Sequence, residues 1–161
     1  MLKKSIPFAC ILLTACGSSK TMVLDTCAET KYVKNFELIH GKSTTSVPKE
    51  AQELFRNIID KKLTEIGYSK GNELIIEYRF IQFDEGDQFA RWMWGGLGNS
   101  GEGEMTAEVR FKDLKGNELS KIHVGGKISS GVFGGSFDHA VENAAHEVVR
   151  YVEKSFPKAT A

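Results

Sequence analysis

Three side chains near the C-terminus have the types and the spacing of a metal site. His139, Glu142 and His146 stand at positions i, i+3 and i+7 of a predicted helix, so they share one side of it. Imidazole and carboxylate groups grouped in this way can bind zinc. The same side also carries Asn143 and Arg150, opposite an apolar stripe, which is typical of a solvated helix face. We therefore expect a polar surface here and no metal centre.

A glycine-rich segment in the middle of the chain matches the dinucleotide-binding pattern G-x-G-x-x-G. Residues 96–101 read Gly-Leu-Gly-Asn-Ser-Gly. This pattern binds a pyrophosphate when a strand precedes it and a helix follows it, because the helix N-terminus holds the phosphates. Here a strand is predicted to follow, since apolar residues alternate from Met105 to Phe111. The segment therefore predicts a long glycine-rich loop and no cofactor.

Other side chains capable of acid–base chemistry stand without a recognisable nucleophile. Asp138 and His139 are adjacent and could form an acid–base pair. Ser136 is better explained as the N-cap of the last helix. His40 and His123 lie near predicted strands and are expected to be structural or exposed. These patterns predict that the protein is not an enzyme.

Cys16 is the residue whose chemical fate the sequence predicts most directly. A basic start at Met1 to Lys4, an apolar run from Ile6 to Leu13 and a small residue at Ala15 precede it, as in a secretory signal peptide. The run is too short for a membrane-spanning helix, which needs about 18 to 20 apolar residues. A cysteine at this place resembles a bacterial lipobox.

The lipobox resemblance implies a lipid-anchored protein. It implies that the chain is cut before Cys16, that the thiol is diacylated and that the new amine is acylated. Gly17, and not an aspartate, follows the cysteine. In bacteria with two membranes, this implies transfer to the inner leaflet of the outer membrane. Several acyl chains hold a protein at a bilayer far more firmly than one chain does.

Charge and cysteine content restrict the remaining classes. The chain of 161 residues has 21 basic and 21 acidic side chains, and removal of Lys3 and Lys4 with the signal peptide leaves 19 against 21, a net charge of −2. No basic tract remains to indicate a nucleic-acid partner. Cys10 is lost with the signal peptide and Cys16 is predicted to carry lipid, so Cys27 has no partner for an intrachain disulfide. We expect Cys27 to be buried or inert, and a disulfide with another chain is the alternative.

The remainder predicts one α+β domain. We assign residues 1–15 to the signal peptide, 16–31 to a flexible tether and 32–157 to a periplasmic domain. Apolar residues at helical spacing predict two amphipathic helices, one after Pro48 and ending near Gly67, the other ending near Pro157. The element order β-α-β-β-β-α predicts an antiparallel or mixed sheet with two helices packed on one face.

Two features of the predicted strands carry further expectations. The strand from Leu74 to Phe83 is largely apolar on both faces, which favours a central place in the sheet. The last strand, from Glu118 to Ile128, contains Gly125 and Gly126. Adjacent glycines inside a strand predict a bulge or a bend.

Several of these signals occur together in a known family. The glycines at 95, 96 and 98, the strand ending Val109-Arg110-Phe111-Lys112-Asp113, the turn glycine Gly116, the pair at 134 and 135 and the closing alanine-rich helix form the set. In this combination the chain resembles bacterial envelope lipoproteins catalogued as a domain of unknown function, over about Phe36 to Phe156. The resemblance implies a small α+β domain on a lipid anchor and supplies no catalytic residues.

One aromatic segment is the candidate contact surface. Arg91, Trp92, Met93 and Trp94 combine residue types that are enriched at protein interfaces, and tryptophan also suits the polar boundary of a bilayer. The alternative is an irregular strand or short helix that covers the core. We expect an outer-membrane-anchored periplasmic lipoprotein that serves as a non-catalytic binding or adaptor module, with the membrane and an envelope protein as partners. A carrier of small apolar ligands and an envelope hydrolase are the alternatives.

Overall fold

A six-stranded mixed sheet forms the centre of the fold, and two helices cover one of its faces. The computed structural model describes residues 19–25, 30–84, 104–127 and 137–159. The elements in chain order are β1 Ser19–Asp25, β2 Asn35–His40, α1 Lys49–Glu65, β3 Ser69–Lys70, β4 Leu74–Asp84, β5 Glu104–Lys112, β6 Glu118–Lys127 and α2 Phe137–Ser155. The strands lie side by side in the order β1-β6-β5-β4-β2-β3.

The strand directions follow from the connections. β4, β5 and β6 are antiparallel neighbours, and β1 adds to β6 in the antiparallel sense. β2 is parallel to β4 because α1 carries the chain back between them, as a parallel pair requires. The prediction of an α+β fold with two helices on one face is confirmed, and β4 lies inside the sheet as its apolar faces predict.

Aromatic side chains fix both helices on the same face of the sheet. The ring of Phe55 in α1 lies 5.2 Å from that of Tyr78 and 5.4 Å from that of Phe80, both in β4. Phe111 of β5 lies 5.2 Å from Phe156, which directly follows α2. All five side chains are almost completely buried. Burial of this many rings stabilises the sheet–helix interface strongly.

The ends of α1 follow its sequence signals. The helix begins at Lys49, directly after Pro48, and the backbone N–H of Gln52 donates to the Pro48 carbonyl at 3.1 Å. Gly67 has a φ of +97° and its N–H donates to the Thr64 carbonyl at 3.0 Å. A left-handed residue at this place ends a helix at little cost when it is a glycine. The predicted role of Gly67 is thereby confirmed.

β1 occupies part of residues 16–31, the segment predicted from the sequence to be a flexible tether. The structure differs from that expectation at Ser19–Asp25, which form six residue pairs with β6. Side chains add to the pairing, because Thr21 donates to the carboxylate of Glu147 in α2 at 2.9 Å. Every residue from Lys20 to Asp25 is exposed, so no buried face marks this strand in the sequence.

The glycine pair in β6 has a different cause from the predicted one. Gly125 and Gly126 form regular antiparallel pairs with Thr106 and Met105, so the predicted bulge or bend at this place is wrong. A Cβ atom on Gly126 would lie 2.3 Å from the carbonyl oxygen of Ala140. The glycine is therefore required because α2 crosses β6 here at backbone contact distance.

Candidate functional site

The face of the sheet opposite the helices, called the open face below, carries charged and polar side chains. Both described helices lie on the other side of the sheet, against the aromatic core. The central part of the open face is formed by side chains of three adjacent strands. They are Glu77 and Arg79 of β4, Glu108, Arg110 and Lys112 of β5, and His123 of β6.

Glu108 is the centre of a hydrogen-bonded cluster on the open face. Its Oε1 atom accepts from Arg79 Nε at 3.0 Å and Nη2 at 2.9 Å. The same oxygen accepts from Arg110 Nε and Nη2, both at 2.9 Å. Its Oε2 atom lies 3.3 Å from His123 Nε2. The Glu108 side chain is 8% exposed, whereas the two arginines remain about one-third exposed.

The cluster determines the charge state of Glu108. Burial of the carboxyl group raises its pKa, but hydrogen bonds from Arg79, His123 and Arg110 outweigh burial and lower the pKa to about 2. The group is therefore an anion throughout the physiological pH range. A carboxylate this acidic is a poor general base and does not act as a general acid at neutral pH. The cluster is suited to presenting fixed charges and not to transferring protons.

A polar depression lies beside the cluster. It has a volume of about 220 Å³ and is lined by Lys42, Glu77, Arg79, Glu108 and Arg110 among others. Both arginines use part of their N–H groups on Glu108, line this depression and remain about one-third exposed. Guanidinium groups held in one orientation lose little further freedom when they bind a polar partner.

A second depression is more apolar and lies toward the β1 edge. It has a volume of about 240 Å³ and is lined by Lys20, Met22, Glu104, Thr106, His123, Gly125 and Gly126. The absence of a side chain at Gly125 helps to form it. A mostly apolar depression that also contains charged groups has the composition of a protein contact site.

β1 forms one edge of the described sheet and exposes apolar side chains. Met22 is 63% exposed, Leu24 46% and Val23 43%. β6 occupies one side of β1, and no described strand lies on the other side. Unpaired edge strands can pair with another chain, particularly where they are apolar. The β1 edge is therefore a second candidate contact surface.

Several predicted sites lie outside the described residues. These are the lipidation site Cys16, the aromatic segment Arg91, Trp92, Met93 and Trp94, the glycine pattern at 96–101, the helix cap Ser136 and the thiol Cys27. The assignments of Cys16 to lipidation and of the aromatic segment to partner binding stay predictions.

The structure places His139, Glu142 and His146 of α2 on a surface that is partly exposed to solvent. His139 is exposed, and Glu142 and His146 are half-buried. Within the described ranges, no group of three or more His, Cys, Asp or Glu side chains is arranged to hold a metal ion. Glu147, one residue further along the helix, accepts a hydrogen bond from Thr21 of β1.

His40 has a structural environment at the end of β2. Its ring stacks on Tyr78 at 5.0 Å, meets the Phe80 ring edge-on at 5.6 Å and lies 3.1 Å from the hydroxyl of Ser43. Burial, followed by the positive charge of Arg56, lowers the pKa of His40. The lowered pKa favours the neutral form of this ring, which contacts Tyr78 and Phe80 although His40 as a whole is exposed.

The Glu108 cluster is the part of the site that sequence reasoning missed. The signal was the alternation of Glu77 with Arg79 and of Glu108 with Arg110 in two strands that face water on the same side. Alternation alone predicts a solvated face. The strand register brings the cluster together, because it places Arg79 directly opposite Glu108 and Glu108 directly opposite His123.

Neither described helix combines the length and the apolar character that crossing a bilayer requires. α1 and α2 each carry charged residues along the side that faces away from the core.

The chain belongs to the family described as Domain of unknown function (DUF4410), whose model matches residues 22–131. The predicted resemblance to a family catalogued as a domain of unknown function is thereby confirmed. No curated protein matches the chain.

The fold is similar to solved structures. Two are PelC dodecamers from Paraburkholderia phytofirmans, one of them a point variant, which are each 9% identical to this chain. They cover 90% and 89% of this chain and 100% of their own, with TM-scores of 0.51 and 0.50. A minor lipoprotein from Acinetobacter baumannii is 15% identical, covers 78% of this chain and 98% of its own, and has a TM-score of 0.42. The likeness to PelC shows a shared fold.

Proposed function

We propose that the protein is a lipoprotein anchored through Cys16 on the periplasmic face of the outer membrane, where it binds another envelope component without catalysis. The observation that carries the proposal is the open face, on which an ionised Glu108 holds two arginines in fixed positions beside a polar depression. The lipid would confine this surface to a thin layer and raise its effective concentration near membrane-bound partners.

The charge state of the cluster favours binding over hydrolysis. A hydrolase of this size would need a base or an acid with a pKa near neutrality. Glu108, the described carboxyl group with a large pKa shift, is shifted away from neutrality. A carrier of small apolar ligands is also less favoured, because the described side chains between sheet and helices, such as Phe55, Phe80 and Val109, are fully buried in contact with one another.

Replacement of the predicted lipidation site tests the anchor. We expect Cys16→Ser to release the protein from outer-membrane fractions, because loss of the acyl chains removes roughly 0.8 kcal/mol for each buried CH₂ group. Cys27→Ser is the matched control and is expected to leave the protein in the membrane fraction. Fractionation and mass spectrometry of the mature N-terminus measure both. An unmodified N-terminus on the wild-type protein contradicts the proposal.

A second candidate function is self-assembly, so that the bound component is another copy of this chain. The exposed apolar strand β1 at the sheet edge favours it, and the similar fold of PelC occurs in a dodecamer. An edge strand with Met22 and Val23 exposed can extend its sheet into a neighbouring copy.

A lysine on the β1 edge tests self-assembly. We expect Met22→Lys to shift the protein from oligomer to monomer, because a charge on an edge strand opposes strand pairing. Leu114→Lys is the control, since Leu114 is similarly exposed, at 59% against 63%, but lies in the turn between β5 and β6. Light scattering of the lipidated protein in detergent measures the mass. A monomeric wild type, or equal masses for both variants and wild type, contradicts self-assembly.

A further inference from the structure

The position of β1 limits how far the folded domain can lie from the proposed lipid anchor. β1 begins at Ser19, three residues after Cys16. Three residues span at most about 11 Å even when fully extended. A flexible tether of the sixteen residues from Cys16 to Lys31 would instead reach a root-mean-square distance of about 22 Å and leave the domain free to turn.

The strand pairing shows which part of the sheet lies at this end. Ser19 pairs with Gly126 of β6, and Gly126 pairs with Met105 of β5. Glu104, one residue earlier, pairs with Asp84, the last residue of β4. We call the end of the sheet formed by the backbone of Ser19, Asp84, Glu104 and Lys127 the anchor end.

α2 begins at the anchor end, and the turn between β5 and β6 lies at the other end. A Cβ atom on Gly126 would meet the backbone of Ala140, so α2 passes close to Gly126 and the exposed residue Asp138 lies near the anchor end. The exposed residue Lys115 lies in the turn, three residues before Glu118, and so is further from the anchor end than Glu118, where β6 begins. The eight residue steps of β6 from Glu118 to Gly126 separate the two ends by about 27 Å.

We propose that the anchor end of the sheet rests on the polar surface of the lipid bilayer and that the strands stand away from it. The proposal rests on the lipidation of Cys16 that the proposed function includes. In this orientation the open face and the β1 edge stand roughly perpendicular to the membrane plane. They are therefore accessible to other proteins bound to the same membrane. The turn between β5 and β6 points into the periplasm.

The test compares two fluorescent labels on the lipidated full-length protein in vesicles. Asp138→Cys and Lys115→Cys are made in a Cys27→Ser background, where acylated Cys16 does not react with the label. The vesicles contain phosphatidylethanolamine and phosphatidylglycerol with a nitroxide on the lipid headgroup, which quenches fluorophores near the surface. We expect quenching at position 138 to exceed that at position 115 by about threefold or more, because the second label stands about 27 Å further away.

An insertion tests the cause of the orientation. Twelve glycine and serine residues placed after Gly17 lengthen the connection, and we expect quenching at positions 138 and 115 to become similar while the protein still floats with vesicles. Unequal quenching that persists in this variant overturns the role of the short connection. Melting temperatures equal to that of the wild type confirm that both labelled variants are folded.

The outcomes separate the orientation from the anchor. Flotation with equal quenching at both positions, or with stronger quenching at position 115, overturns the orientation and leaves the lipid anchor intact. A wild-type protein that does not float with vesicles overturns the anchor, and the orientation falls with it.

Discussion

Gly126→Val is expected to leave the protein without a cooperative unfolding transition, and Gly126→Ala to lower the free energy of unfolding by about 3 kcal/mol. A Cβ atom at this position would meet the carbonyl oxygen, carbonyl carbon and Cα of Ala140 at 2.3 to 2.9 Å. These are backbone atoms of α2, so no side-chain rotation relieves the contact. The helix would have to move off the sheet, and a small domain has only about 5 to 15 kcal/mol of stability in total.

The neighbouring glycine provides the control for this prediction. A Cβ atom on Gly125 would lie 3.3 Å from the Met105 carbonyl oxygen and 3.5 Å from Thr106 Oγ1, on the open face. We therefore expect Gly125→Ala to change the free energy of unfolding by less than about 1 kcal/mol. Urea unfolding followed by circular dichroism measures both variants. Equal midpoints for Gly125→Ala and Gly126→Ala would show that α2 does not cross β6 at contact distance.

The glycine pair also shows where sequence reasoning ends. The sequence marks Gly125 and Gly126 as unusual inside a strand, because glycine weakens strands. A bulge and a close backbone approach give the same signal. Only the placement of Ala140 above β6 distinguishes them, and that placement arises from packing between elements far apart in the chain. Local pattern therefore located the special position and assigned it the wrong cause.

Elements with a buried face were predictable, and β1 was not. α1, α2 and the strands β4, β5 and β6 each bury alternate or helically spaced apolar side chains, so the period of the pattern predicts them. β1 buries none of the residues from Lys20 to Asp25. Its stability comes from backbone pairing with β6 and from contacts such as that of Thr21 with Glu147. Such a strand has no hydrophobic period by which to recognise it.

The candidate site was only partly predictable for a similar reason. Composition indicates a polar face on β5, but it does not show that Glu108 is buried while its neighbours on the same face are not. Burial follows from the arginines at 79 and 110, which cover the carboxylate from two strands. The residues singled out for lipidation and partner contact, Cys16 and Arg91 to Trp94, lie outside the described residues, so those assignments rest on sequence alone.

Glu108→Gln is expected to lower the free energy of unfolding at neutral pH by about 2 to 3 kcal/mol. The neutral amide oxygen forms weaker hydrogen bonds with Arg79 and Arg110 than the carboxylate does, because the attraction between opposite charges is lost. Hydrogen bonds to charged groups contribute about 1.5 to 3 kcal/mol each. Both arginines are about one-third exposed, so water replaces part of the lost hydrogen bonding to their guanidinium groups. This limits the loss of stability. Thermal and urea unfolding of the two proteins measure the difference.

The same substitution is expected to change the pH dependence of stability. The folded pKa of Glu108 is about 2, below its ordinary value of 4.5. The stability that this carboxylate contributes is therefore fully present above pH 4.5 and is lost as the pH falls toward 2, by up to about 3 kcal/mol. In Glu108→Gln this part of the acid destabilisation is absent, so the wild type and the variant should converge in stability as the pH approaches 2.

Glu77→Gln separates the effect of burial from the effect of charge alone. Glu77 is paired with Lys112 on the same face, but both side chains are roughly 30% exposed, and such pairs contribute about 1 kcal/mol or less. We expect a small loss at neutral pH and little change in the acid profile. If Glu77→Gln and Glu108→Gln lower stability equally and leave the same slope between pH 4.5 and 2, then Glu108 is not held by the two arginines. The open face would in that case present mobile charges, and the pre-organised surface on which the binding proposal depends would be lost.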